Sequence, residues 1–152
     1  MATLLLSPLV LFAACGPAAD PLDPPAIVYG EDVCDACGMI VTDVRFAAAT
    51  IVEVDGVLEP RRFDDIGDML AYHAEHRTLS VRRWYVHDHA SLAWIDALAA
   101  HYVRAAAIRS PMGHGLVAFA ERDAADAFAR TVSGTVASFE ALRRTHGAPA
   151  VP

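Results

Sequence analysis

The chain has 152 residues, and its 19 acidic and 12 basic side chains give it a formal net charge of −7. This acidic balance argues against a nucleic-acid partner, because binding to the phosphate backbone requires clustered Lys and Arg. The length is sufficient for one domain with a substantial hydrophobic core.

The N-terminus carries the pattern of an exported lipoprotein. Residues 4–14 are almost wholly apolar, which matches the length of a signal-peptide core and is too short for a mature transmembrane helix. The small residues before Cys15 resemble a bacterial lipobox, so we expect cleavage before Cys15 and a lipid on that residue. Phe12 stands where leucine is usual in a lipobox, and no basic residue precedes the apolar run. A start codon at another position is therefore an alternative. A cleaved soluble signal and a buried N-terminal helix are the alternatives.

The composition divides the chain into four segments. We predict a signal peptide at 1–14, a lipidated tether rich in Pro, Ala and Asp at 15–32, one folded domain at 33–145 and a tail at 146–152. The lipid would hold the domain at the cell envelope, facing the periplasm.

The first half of the domain predicts a hairpin, a helix and a strand. In chain order, these are a strand at 46–54, a turn at Asp55-Gly56, a return strand at 57–63, a helix from Asp64 or Asp65 to about Glu75 and a strand at 80–87. Asp-Gly between two β-rich runs is a strong hairpin signal. The helix is indicated by its acidic cap and by the apolar stripe of Ile66, Met69, Leu70 and His73.

The second half alternates again between strands and helices. The predicted elements are a short helix at 91–100 around Trp94, an extended segment at 101–109, a strand at 115–120, a helix at 123–131 with Ala124, Ala127 and Phe128 facing inward, a strand at 132–137 and a terminal helix from Ser138 to about Arg144.

A faint internal repeat is present in this order of elements. The spacing of residues from Phe63 into the following helix resembles the spacing that follows Phe119. A glycine loop that carries a methionine precedes each unit, Met39 in the first and Met112 in the second. The offsets do not match residue for residue, so duplication and chance similarity both stay open. If the chain is duplicated, we expect the two loops to converge and share one metal ion.

Two thiols and a thioether lie together in Cys34-Asp-Ala-Cys37-Gly38-Met39. These soft ligands favour Cu(I), so we predict that Cys34 and Cys37 bind copper, although Cys34 could equally be a spare thiol. The same C-x-x-C spacing also serves disulfides, zinc sites and catalytic dithiols, which remain alternatives. Gly38 permits a tight turn that aims backbone N–H groups at the sulfur, and we expect this turn to lower the thiol pKa.

A second glycine-rich stretch adds Met112 and His114 as candidate ligands. A thioether needs no deprotonation to bind Cu(I), and a neutral imidazole supplies a nitrogen donor. We therefore predict Met39, Met112 and His114 as further ligands, with core packing for Met39 and a solvated loop for His114 as alternatives. Met69, on the apolar helix stripe, is predicted to be core. The His-Asp-His run at 87–89 is a less specific candidate site for a divalent ion.

Taken together, these motifs resemble the NosL family. The matching stretches are, in order, Cys34-x-x-Cys37-Gly38-Met39-Ile40-Val41, Phe63-Asp64-Asp65-Ile66, Val86-His87-Asp88, Trp94-Ile95-Asp96-Ala97, Pro111-Met112-Gly113 and Ala118-Phe119. The resemblance, which runs from about Val33 to Leu142, implies a Cu(I)-binding chaperone rather than an enzyme, on the periplasmic side of a membrane. It further implies delivery of copper to the sulfide-bridged cluster of nitrous oxide reductase, together with the ABC-transporter complex used in that maturation.

The resemblance also implies a fold of two related ββα-type units, similar to the organomercurial lyase architecture. This agrees with the α+β pattern of two small strand–helix units around one core. The alternative function is a periplasmic thiol–disulfide oxidoreductase that uses Cys34 and Cys37. Against it, thioredoxin-like proteins begin a long helix at their C-x-x-C pair, whereas Gly38 and the β-branched run behind it disfavour a helix here. An organomercurial lyase relative would need a second cysteine pair.

Overall fold

The structure is a computed structural model that describes residues 20–146. The predicted signal peptide, the lipidation of Cys15 and the start of the tether lie outside the described residues. Within residues 20–146, none of the helices combines the length and the apolar character needed to cross a bilayer.

Seven strands and three helices make up the described part of the chain. They are β1 (Ala48–Val54), β2 (Val57–Phe63), α1 (Ile66–Glu75), β3 (Ser80–His87), β4 (Trp94–Asp96), β5 (His101–Arg104), β6 (Leu116–Phe119), α2 (Arg122–Val132), β7 (Thr135–Ser138) and α3 (Phe139–His146).

The strands form two sheets with one shared topology. The order is β2-β1-β3-β4 in the larger sheet and β6-β5-β7 in the smaller, and all pairs are antiparallel. In each sheet the first strand is central, its hairpin partner lies on one side, and the strand after the helix lies on the other. The predicted α+β fold of two related units is therefore confirmed, and β4 is an addition to the first unit.

Local sequence signals fix the first unit. Asp55 and Gly56 have φ values of 51° and 81°, the positive values that a two-residue hairpin turn with right-handed strand twist requires. The side chain of Asp65 accepts a hydrogen bond of 2.8 Å from the Gly67 N–H and so caps α1. Pro60 lies in the edge strand β2, where its missing N–H does not interrupt the sheet.

The buried side chains form two clusters rather than a single core. The larger takes residues from both units, including Phe63, Met69, Tyr102, Leu116 and Phe139. The smaller packs under α2 and includes Phe46, Val103, Val117, Ala125 and Ala129. A parallel bridge between Asp88 and Ala118 joins the two units, and both units contribute side chains to the larger cluster.

Two of the sequence predictions are wrong in detail. The segment 91–100 is not a helix, because Trp94–Asp96 pairs with β3 as an edge strand. The β propensity of Trp94 and its pairing with His87 outweigh the alanine-rich composition. Of the α2 residues predicted to face inward, Ala127 is exposed, and Ala125 and Ala129 are buried in its place.

The second half of the predicted tether lies against the domain. The Tyr85 hydroxyl donates to the carbonyl oxygen of Leu22 at 2.6 Å, and Nε of Arg62 donates to that of Ala26 at 3.1 Å. Ile27 packs against the larger cluster. Residues 20–32 thus belong to the folded domain and are not a free coil.

We expect Met69→Ala to lower the free energy of unfolding by about 2–5 kcal/mol, because the side chain is fully buried and its removal leaves a cavity. The matched control is Met39→Ala, since Met39 is 54% exposed and its removal should change stability by about 0.5 kcal/mol or less. Urea unfolding of both metal-free variants under reducing conditions measures the difference. Equal losses in the two variants would contradict the assignment of Met69 to the core.

Candidate metal centre

The cysteine loop is closed by its own backbone. The Cys34 N–H donates to the carbonyl oxygen of Met39 at 2.7 Å, and the Gly38 N–H donates to that of Cys34 at 2.9 Å. Gly38 has a φ of +74°, which L side chains rarely adopt, so glycine fits this turn. Residues 35–37 form turns and no helix begins at the cysteine pair.

The same loop is fixed beside the edge strand β2. The Asp35 N–H donates to the carbonyl oxygen of Arg62 at 2.8 Å, and the Arg62 N–H donates to Oδ2 of Asp35 at 2.7 Å. This reciprocal pair uses backbone groups that an edge strand leaves free. The loop is thereby held with both thiols close to the first turn of α1.

The thiols meet a carboxylate that the sequence analysis missed. The sulfurs of Cys34 and Cys37 and a carboxylate oxygen of Asp68 all lie within 4.8 Å of one another. Cys34 is buried and lies 3.7 Å from Oδ2 of Asp68, whereas Cys37 is exposed. Both cysteines are free thiols. The sequence signal for this carboxylate is the position of Asp68 in the first turn of α1.

The second loop reaches the same helix end. The Met112 N–H donates to Oδ2 of Asp65 at 3.2 Å, and Nε2 of His114 lies 3.1 Å from Oδ1 of Asp68. Because a carboxylate accepts, Nε2–H of His114 is the donor of this hydrogen bond. The expected convergence of the two loops is therefore present, at the N-terminal turn of α1.

Gly67 makes this approach possible. It sits in the first turn of α1, and a Cβ at this position would overlap the side chain of His114. Any larger residue would push the second loop away from Asp68. The glycine thus serves close packing rather than an unusual backbone conformation.

The two candidate methionines lie at the surface. Met39 is 54% exposed and Met112 is 38% exposed, so neither is a core residue. Each follows or precedes a glycine of positive φ, Gly38 at +74° and Gly113 at +76°. Core packing is thereby removed as an explanation for Met39.

The pKa of Cys37 is raised to about 12, opposite to the sequence prediction. Withdrawal of the sulfur from water is the largest cause, since the sulfur lies against Cys34 and Asp68 although the residue as a whole is exposed. The Met39 N–H donates to this sulfur and lowers the pKa, but desolvation outweighs it, and the neighbouring thiol and carboxylate raise the pKa further. The Cys37 thiol is protonated at neutral pH, and a metal ion that binds there must displace the proton.

The His-Asp-His run begins at the last residue of β3 and contributes to the fold. His87 is buried, with Nδ1 2.8 Å from the carbonyl oxygen of Leu92 and Nε2 2.9 Å from the hydroxyl of Tyr29. Burial lowers its pKa. Asp88 accepts the N–H of Ala120 at 3.0 Å. Within residues 20–146, the ligand atoms of this run do not come together as those of the two thiols and Asp68 do.

Comparison with known proteins gives three findings. A family model described as NosL matches residues 25–146. The copper-binding lipoprotein NosL of Stutzerimonas stutzeri is 34% identical over 128 residues, which are 78% of this chain and 65% of that protein. The crystal structure of the copper chaperone NosL from Shewanella denitrificans is similar with a TM-score of 0.69 at 21% identity, covering 80% of this chain and 96% of that chain.

These findings differ in what they establish. The structural match confirms the fold alone, since sequence identity to the solved chaperone is 21%. The chain spans 65% of the length of the curated relative. The family model covers almost all of the described residues, including both loops of the candidate site.

We expect Gly67→Ala to lower the free energy of unfolding by about 1–3 kcal/mol, because the new methyl group overpacks against His114. In a His114→Gly background the same change should cost much less, since no side chain remains to be displaced. A double-mutant cycle by urea unfolding measures the coupling, expected at about 0.5–3 kcal/mol. An identical loss in both backgrounds would show that the second loop does not pack against Gly67.

Proposed function

Because the chain belongs to the NosL family, we propose that it binds one Cu(I) ion between its two glycine-rich loops and passes the ion to a partner protein. It would catalyse no reaction itself. The observation that carries this proposal is the convergence of the loops on one buried carboxylate, with Asp68 contacting Cys34 on one side and His114 on the other. The proposed ligands are drawn from Cys34, Cys37, Met39, Met112 and His114.

The donor types support copper in its lower oxidation state. Thiolate and thioether sulfur are soft donors, and the first loop alone supplies two thiols and one thioether. A carboxylate is a hard donor, so we assign Asp68 a positioning role toward the copper ligands. The relatives named above are described as a copper-binding lipoprotein and a copper chaperone, which agrees with this cargo.

Asp68 also orients the ring of His114. Its Oδ1 accepts Nε2–H of His114 at 3.1 Å. Histidine ligands commonly donate one ring N–H to a carboxylate in this way, which fixes the ring orientation. We therefore propose that Asp68 positions the His114 ring beside the thiols.

The distribution of exposure suits a carrier. Cys34 is buried, whereas Cys37, Met39 and Met112 are exposed. A partner's ligand can approach an ion held at such a rim before the first ligands leave, and a closed four-ligand cage would prevent this. The buried thiol would then be the last contact that the ion loses.

The client and the location follow from the family resemblance. We propose that the acceptor is nitrous oxide reductase or its ABC-transporter maturation complex, and that lipid on Cys15 holds the chain at the periplasmic face of a membrane. The relative in Stutzerimonas stutzeri is itself named a lipoprotein.

The alternative is a thiol–disulfide oxidoreductase at Cys34 and Cys37. Such enzymes use a thiolate of lowered pKa, whereas the pKa of Cys37 is raised to about 12. The turn around Gly38 also takes the place of the helix that lowers the pKa in those enzymes. The loop geometry therefore favours the copper carrier.

We expect the reduced chain to bind about one Cu(I), and Cys37→Ser to weaken binding by roughly a hundredfold or more through loss of an anionic ligand. Met112→Leu should weaken binding by a smaller factor with little effect on the fold. Competition with a chromophoric Cu(I) chelator under anaerobic conditions measures each affinity.

Met69→Leu is the matched control, because it replaces a fully buried methionine by an apolar side chain of similar volume. Its Cu(I) affinity should equal that of the unmodified chain. If Met112→Leu also leaves the affinity unchanged while Cys37→Ser abolishes binding, the metal is held by the first loop alone.

We expect deletion of the gene in a denitrifying host to yield nitrous oxide reductase deficient in its catalytic copper cluster under copper limitation. A plasmid copy should restore the cluster, the Cys37→Ser copy should not, and Met69→Leu should restore it fully. Copper content and activity of the purified reductase are the measurements. Fully loaded reductase in the deletion strain would refute copper delivery and return the dithiol enzyme to consideration.

A further inference from the structure

A second groove lies on the other side of helix α1 from the thiols. It has a volume of about 690 Å³ and is bounded by α1, β3 and α3. Apolar side chains, among them Leu70, Val81 and Trp84, line it. Trp84 is the largest of these and, at 8% exposure, contributes a small aromatic area to the groove.

The groove is basic although the chain as a whole is acidic. Its charged lining residues are Arg77, Arg143, Arg144 and Glu140, three guanidinium groups against one carboxylate, in a chain of net charge −7. Arg143 and Arg144 are both exposed on α3. A local positive field on an acidic protein selects for an anionic partner.

Helix α1 therefore separates two surfaces of opposite charge. The pocket at the thiols has a volume of about 400 Å³, and three carboxylates line it, those of Asp35, Asp68 and Glu75. His76 lines both pockets, so the two surfaces meet at the C-terminal end of α1. A partner bound in the basic groove would lie beside the thiol pocket.

Arg143 is held in place over the apolar wall. Its guanidinium carbon lies 5.4 Å from the ring centre of Trp84 and 6.0 Å from that of Phe139, within cation–π range. An arginine that is already ordered loses little conformational freedom when it binds a carboxylate.

We propose that this groove docks an acidic segment of the protein that exchanges copper with this chain. An apolar side chain of that segment would pack on Trp84, and carboxylates beside it would pair with Arg143 and Arg144. Aromatic walls and arginine are enriched at the points that carry most binding energy in protein interfaces. The identity of the partner as a copper-exchanging protein rests on the proposed function, whereas the docking site rests on the groove.

The shape of the groove favours a protein segment over a membrane surface. A lipid surface is broad, and its anionic headgroups would meet Glu140 as well as the arginines. A concave apolar floor with charges at the rim accepts a single inserted side chain flanked by acidic residues. The charge contrast across α1 also determines where the acidic segment binds, because the carboxylates of the thiol pocket repel it.

The test compares two double variants of equal charge change. Arg143→Glu/Arg144→Glu reverses the groove, and Arg122→Glu/Arg130→Glu reverses two exposed arginines of α2. Each is measured for binding to immobilised nitrous oxide reductase and, separately, to the purified transporter complex of the same host. We expect the groove variant to bind one of these roughly tenfold or more weakly, with the loss shrinking at high salt, and the α2 variant to bind within about twofold of the unmodified chain.

A third variant and a spectroscopic probe separate docking from folding. Arg143→Lys/Arg144→Lys keeps the charge and should retain most of the binding. Trp84 and Trp94 are the two tryptophans of the chain, so 5-fluorotryptophan labelling gives two ¹⁹F resonances, which Trp94→Phe assigns. Partner binding should shift the Trp84 resonance and leave that of Trp94 in place.

Several outcomes would overturn the proposal. Equal losses in the two charge-reversed variants would show an effect of overall charge, and an unmoved Trp84 resonance would place docking elsewhere. Arginine-dependent binding to phosphatidylglycerol vesicles, without arginine-dependent binding to either protein, would make the groove a membrane contact. Cu(I) affinity, measured by chelator competition, should be equal in all variants. Absent copper binding with intact docking would refute the proposed function and leave the docking site standing.

Discussion

The first turn of helix α1 organises the site, because two of its carboxylates hold both loops. Asp65 caps the helix through Gly67 and also accepts the Met112 N–H. Asp68 lies between the Cys34 thiol and His114. Acidic groups are stabilised at a helix N-terminus by the helix dipole, so the same interaction favours both the helix and the attached loops. The contacts to this turn are what connects the two loops.

Burial makes those contacts obligatory. Asp65 and Asp68 are buried, and a buried carboxylate is costly unless hydrogen-bond donors reach it. The loops supply the donors, so their positions are set before any metal arrives. Cys37 and Met39, by contrast, are exposed, so the outer side of the site is open to solvent.

The sequence predicts this fold where the signals are local. The turn at Asp55-Gly56 and the cap at Asp65 each depend on two or three neighbouring residues, and both are present. Trp94 was misassigned because its strand is created by pairing with β3, which composition does not report. Asp68 was missed for a similar reason, since its partners are 34 and 46 residues away. The raised pKa of Cys37 comes first from desolvation in the folded loop and only in smaller part from Asp68, so local sequence does not report it either.

The two similar units differ in what their helices do. Both share the strand order and the antiparallel pairing, yet the site uses the N-terminus of α1 alone. The N-cap residue of α2, Glu121, makes no side-chain capping hydrogen bond, and the helix buries Ala125 and Ala129 against its sheet. The second unit thus contributes its glycine loop, with Met112 and His114, and the first contributes its helix and thiols. The two glycine loops therefore meet at one helix end, although only one of the two helices takes part in the site.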